Sequence, residues 1–65
     1  MQPESFANWL AAMTAAGLIS SKRDAAALLG VTDDTITAYL RRGADLRTAL
    51  ACKALYHRLE PWPTV

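Results

Sequence analysis

Residues 21–43 read SKRDAAALLGVTDDTITAYLRRG, and this stretch decides the fold. It parses as two short helices joined by a bend at Gly30. A glycine there can take the left-handed conformation that ends a helix, which a residue with a Cβ enters only at a cost. Ala26, four residues earlier, has a side chain small enough for a second helix to cross closely above it, and Val31 and Ile36 fill the gap between the two. Leu29 and Tyr39 supply apolar flanks. A bulky or charged residue at Ala26 should splay the pair.

The helix ends carry matching signals. Ser21 followed by Asp24 resembles a capping box, with Asp standing in for the usual Glu, and Thr32 can accept a backbone hydrogen bond at the start of the next helix. Asp33 and Asp34 then fall in the first turn, where the helix dipole stabilises negative charge. The second helix is therefore expected to begin after Thr32 and to stop near Gly43, with Arg41 and Arg42 in its last turn.

Working outward, the spacing predicts two more helices and almost no linker. Phe6, Trp9, Leu10 and Met13 recur at helical spacing, starting from Glu4 or Ser5 and ending at Gly17. Leu18 and Ile19 form an apolar connector that should pack under the motif. A last helix runs from Asp45, which can cap the turn holding Thr48, to Glu60, because Pro61 and Pro63 cannot continue it. The expectation is an all-α domain over residues 5–60 with a tail at 61–65.

Composition narrows the function classes. Sixty-five residues make one domain with a modest core, a size often supported by disulfides, a metal or a second subunit. The single Cys and single His exclude an intrachain disulfide and an ordinary four-ligand zinc site. No metal, cofactor or small-molecule ligand is expected, which leaves oligomerisation as the available support. No run of sequence has the length and apolarity of a membrane span, and no secretory signal is visible, so a cytoplasmic location is the expectation. His57 has no triad partner in the sequence, Cys52 lies in an apolar run, and Asp33 with Asp34 has no pocket in which to act as an acid and base pair. An enzyme is not expected.

Here the residues carry a resemblance: 21–43 looks like the helix-turn-helix of the lambda repressor and Cro family of phage and bacterial regulators, and the small size is similar to Cro proteins and anti-CRISPR-associated repressors. It covers about a third of the chain strongly, and the flanking helices fit the same four- or five-helix domain. The resemblance implies double-stranded operator DNA as the partner and transcriptional repression, with autoregulation implied by the family alone.

On that reading the outward positions of the second motif helix approach base edges: Thr32, Asp33, Asp34, Thr35, Thr37, Ala38 and Arg41. Thr37 and Ala38 can touch a thymine methyl, and Arg41 can reach guanine or a phosphate. Ser21, Lys22, Arg23 and Arg42 are the phosphate candidates; Lys22 stands where relatives commonly hold Gln. Asp33 and Asp34 depart from the family pattern, either accepting from cytosine N4 or serving only the helix dipole. The net charge of +1 is low for a DNA-binding domain. It matters less if Lys22, Arg23, Arg41, Arg42, Arg47, Lys53 and Arg58 share a face.

The last helix is apolar around most of its circumference, whereas a helix covering a core needs one stripe. With Leu46, Leu50 and Ala54 on one side, a second buried surface formed by Cys52, Leu55, Tyr56, Leu59 and Trp62 is expected against another subunit. A two-fold homodimer would set two recognition helices about one DNA turn apart, matching a palindromic site. The alternative is a monomer in which Trp62 folds back over the helix. Two rival functions stay open: an all-α adaptor of antitoxin or anti-repressor type presenting Asp33, Asp34 and Thr37 to a protein, and an excision or recombination accessory factor that bends DNA.

Overall fold

Proline at the first helical position sets the start of the chain's first helix. In the computed structural model, which describes residues 1–63, α1 spans Pro3–Ala15 behind an extended Gln2. Proline's missing N–H costs nothing where first-turn amides lack partners, so α1 begins earlier than Glu4 or Ser5. Three further helices follow: α2 Lys22–Leu29, α3 Asp33–Arg42 and α4 Leu46–Tyr56. The chain is all-α, with no strand among the described residues. No helix is long and apolar enough to cross a membrane among those residues.

Side chains hold three of the four helix starts. Ser21 Oγ accepts from the Asp24 amide at 3.3 Å, Thr32 Oγ1 from the Thr35 amide at 3.2 Å, and Asp45 Oδ1 from the Thr48 amide at 2.9 Å. Each satisfies an amide that has no partner inside its helix. Asp24 does not close the reciprocal box on Ser21: its Oδ2 accepts from the Ser20 amide at 2.8 Å and the Ser20 hydroxyl at 2.6 Å. The connector from α1 is thereby tied to α2.

The core forms where the four helices meet. Phe6, Trp9 and Met13 of α1, Ile19 of the connector, Ala25 and Ala26 of α2, Ile36 of α3 and Cys52 of α4 are all buried. α3 packs on α1 and α2, and α4 packs on the same two helices from another side. Phe6 holds the centre, with Trp9 at 5.5 Å and Tyr39 edge-on at 5.2 Å between ring centroids. The Trp9 indole donates to the Cys52 carbonyl at 2.8 Å, joining α1 to α4 without leaving a buried polar group unpaired.

Both chain ends differ from the sequence expectation. Met1 is no loose leader: its backbone carbonyl accepts from the Ala44 amide and its amino group donates to the Ala44 carbonyl, each at 2.9 Å. Gly43 makes room for this pairing. A Cβ there would collide with the Met1 carbonyl oxygen, and the backbone at φ 88° and ψ −176° is one that essentially only glycine adopts.

At the other end α4 stops at Tyr56, not Glu60. Arg58 turns left-handed at φ 58°, and the Leu59 amide then bonds back to the Ala54 carbonyl at 2.9 Å and the Arg58 amide to Leu55 at 3.1 Å. These two bonds close the helix before either proline is reached. The predicted tail at 61–65 lies partly outside the described residues, at 64 and 65.

Candidate nucleic-acid interface

The elbow between α2 and α3 is built by one left-handed residue. Gly30 sits at φ 71° and ψ 32°; the Val31 amide returns to the Ala26 carbonyl at 3.0 Å and the Gly30 amide to Ala27 at 3.3 Å. Three residues separate the two helices, and Thr32 caps the start of α3. Ala26 and Ile36 are buried inside the bend, while Leu29, Val31 and Tyr39 pack half-buried at its margin. The Tyr39 and Thr48 hydroxyls are 3.3 Å apart and brace α3 against α4.

The face of α3 opposite Ile36 is open. Asp33, Asp34, Thr37, Arg41 and Arg42 are exposed, and 33, 37 and 41 stack one turn apart along the rod. Thr37 is tethered, its hydroxyl donating to the Asp33 carbonyl at 3.3 Å. Charge is divided along this face, with two carboxylates at the first turn and two guanidinium groups at the last. Arg41 follows Asp33 by eight residues, so the signs are separated by roughly 12 Å of helix.

Three members of the predicted base-contacting set, Thr32, Thr35 and Ala38, stand differently. Thr35 is half-buried and its hydroxyl lies 3.0 Å from that of Thr32, so both hydroxyls belong to the helix cap. Ala38 is half-buried, one turn from each of the exposed Asp34 and Arg42. Of the phosphate candidates, Lys22 and Arg23 are exposed in the first turn of α2, Ser21 is exposed but engaged in its cap, and Arg42 is exposed beside Arg41.

Sequence reasoning counted Arg47 among the cations of a possible positive face but gave it no base or phosphate contact. It joins Leu29, Val31, Tyr39, Asp45, Thr48 and Ala51 in lining a shallow groove beside the elbow. Its side chain is almost wholly solvated, 3.7 Å from the Asp45 carboxylate. Its position two residues after the Asp45 cap was the available signal, since the loop from α3 delivers that turn next to the elbow.

The expected subunit surface requires correction. Cys52 is only 1% exposed and cannot meet another chain; Leu55 is half-buried against the core. Burial pushes the Cys52 thiol up to about 11, since the apolar surroundings disfavour a thiolate. Tyr56, Leu59 and Trp62 do face solvent, and Trp62 at 89% exposure does not fold back over α4. Leu46 and Leu50, on the side opposite Cys52, are among the most exposed apolar residues of the fold.

Among the described residues no group of three or more His, Cys, Asp or Glu is placed to hold a metal ion. No family model matches the chain, and neither a curated protein nor a solved structure is significantly similar to it.

Proposed function

We propose that this chain is a sequence-specific DNA-binding protein of helix-turn-helix type that acts as a homodimer on a palindromic operator and represses by occupying promoter DNA. The observation that supports this reading best is the elbow: left-handed Gly30 ends α2 and lets α3 pack on it, and the outer side of α3 is left exposed. A rod held this way is what the major groove accepts. In the proposed complex Thr37 and Arg41 meet base edges, Lys22, Arg23 and Arg42 meet phosphates, and the first-turn carboxylates Asp33 and Asp34 select against unsuitable sequences by repulsion. Subunits pair through the C-terminal apolar edge formed by Tyr56, Leu59 and Trp62.

The test is selection of bound sequences from a random duplex pool at two salt concentrations. A palindromic consensus whose binding weakens steeply with salt is expected. Within it, Arg41→Ala and Thr37→Ala should each lose about 1–3 kcal/mol of specific binding, against little change on random DNA. A pool with nothing enriched would end the proposal.

A second reading, a protein adaptor of antitoxin or anti-repressor type, is favoured by one observation: the leading end of α3 presents Asp33 and Asp34 to solvent in a chain of net charge +1. Binding to a protein of mixed charge would respond to salt far less than DNA binding does.

A further inference from the structure

Trp62 and a groove beside it are two apolar features that the packing of the four helices leaves open. The indole is 89% exposed, and it stands between Pro61 and Pro63, which bias the backbone of Glu60 and Trp62 toward extended conformations. Next to it a groove of about 240 Å³ opens between α2 and α4. Leu28 and Leu29 contribute to its lining from α2, Ala51 and Ala54 from α4, and Leu59 and Pro61 from the segment after it. Leu28 at 47% and Leu59 at 63% exposure leave much of that lining in water. Pro61 thus belongs to the groove, while the side chain of the next residue points out of it.

We infer that Trp62 fills this groove on a second copy of the chain, by reciprocal exchange across a two-fold axis. The inference rests on the subunit pairing proposed above and names the cavity that the pairing uses. A foreign partner seated in the groove would leave Trp62 in water, and one that took Trp62 would leave the groove open. A second copy covers both at once, because indole and groove share one edge of the molecule and a two-fold axis repeats each contact. Occupation within one chain is opposed by the flanking prolines, which resist the tight reversal that would return Trp62 to a groove its own neighbour lines. Charge along this edge is self-complementary: Arg58 and Glu60 flank Leu59 with opposite signs, so two copies running antiparallel past Leu59 bring unlike charges together. Area sets the strength. An indole side chain buries about 150–250 Å² and the groove loses a similar area, so each subunit hides about half of the roughly 800 Å² that a standard interface takes. An interface of this size belongs to weak, reversible pairs.

Sedimentation of the full chain from micromolar to near-millimolar concentration tests this, with tryptophan emission followed over the same range. A reversible dimer is expected, its emission moving to the blue as Trp62 leaves water. Trp62→Ala and Leu28→Glu should each weaken it about tenfold or more, with helical circular dichroism unchanged because both side chains are exposed. Mixing the two variants separates exchange from general stickiness. The Leu28→Glu chain still offers its Trp62 and the Trp62→Ala chain its open groove, so the mixture should associate more strongly than either variant alone. No gain on mixing, or variants that dimerise like the parent chain, overturns the exchange and leaves the operator proposal standing. A parent chain that stays monomeric throughout overturns the exchange together with the pairing it rests on, and Trp62 emission already blue-shifted in that monomer places the indole in its own groove.

Discussion

Ile36 on α3 and Leu50 on α4 are branched aliphatic side chains on neighbouring helices, yet Ile36 has no exposed surface and Leu50 leaves 61% of its surface in solvent. The difference lies in what crosses each helix. α3 is gripped between α1 and α2, so its one apolar line is covered and its other side is polar. α4 meets α1 and α2 along its inner side only, where Cys52 and Leu55 sit, and no fifth helix among the described residues covers its outer line. An apolar side chain is thus structural in one place and available for association in the other, according to which neighbour the topology supplies.

The largest test of that contrast is a pair of truncations. Ile36→Ala should cost about 2–5 kcal/mol, enough to unfold much of a domain this small, because the elbow cannot collapse around the cavity. Leu50→Ala removes a comparable side chain from solvent and should change stability by no more than about 0.5 kcal/mol. Chemical denaturation of both variants measures the difference, and equal losses would mean that the outer line of α4 is covered in solution.

The next test compares the two glycines that bound α3. Gly43→Ala meets a disallowed backbone and a collision with the Met1 carbonyl, and should cost roughly 2–4 kcal/mol. Gly30→Ala finds open space around the new Cβ, so only the left-handed conformation is penalised, at about 1 kcal/mol. Denaturation midpoints that reverse this order would show that Met1 does not hold the α3–α4 loop in solution.

A smaller effect, of opposite sign, is expected at the end of α4. Arg58 occupies a left-handed position that Gly would fill without strain, and Arg58→Gly should stabilise the fold by about 0.5–1 kcal/mol. Thermal melts read the gain. A loss instead would show that the arginine side chain holds the turn.

These positions also show why some of the architecture could be read from residues and some could not. Ser21, Thr32 and Asp45 announce helix starts through local chemistry, and Gly30 announces the elbow, because each acts on its own neighbours in the chain. The end of α4 carries no such mark: an arginine performs the turn that glycine usually signals, so the prolines after it looked like the stop. The inner face of α4 was hidden for another reason. A helix apolar on nearly every side has no angular preference to read, and it is the Trp9 indole, reaching the Cys52 carbonyl from a helix far away in sequence, that picks the face. The candidate contacts on α3 were legible as exposed positions at Asp33, Thr37 and Arg41. Thr35 was not, since its hydroxyl is drawn into the Thr32 cap by a contact that spacing alone does not rank above a base.

The finest distinction between the two regions is their response to acid. The Ser20 hydroxyl, and then the Ser20 amide, hold the Asp24 carboxyl below its ordinary value of 3.8 at the start of α2; the Thr48 hydroxyl, and then its amide, do the same for Asp45 at the start of α4. A carboxyl lowered in the folded state adds stability that is fully present above the unfolded value and is lost as pH falls through the folded one. The Asp24–Ser20 bonds and the Asp45 cap should therefore both weaken below about pH 4, in the same window. Asn keeps the capping oxygen and discards the titration, so Asp45→Asn should leave neutral-pH stability nearly unchanged and flatten this part of the acid limb. Asp24→Asn should flatten it too, but at a cost at neutral pH, because the Asp24 carboxylate also takes two bonds from Ser20 and so ties the connector to the elbow. Urea midpoints at neutral and acid pH separate the two. If both variants lose equally at neutral pH, the two Ser20 bonds to Asp24 add no hold on the connector, and the elbow rests on Gly30 and the packing of Ile36 alone.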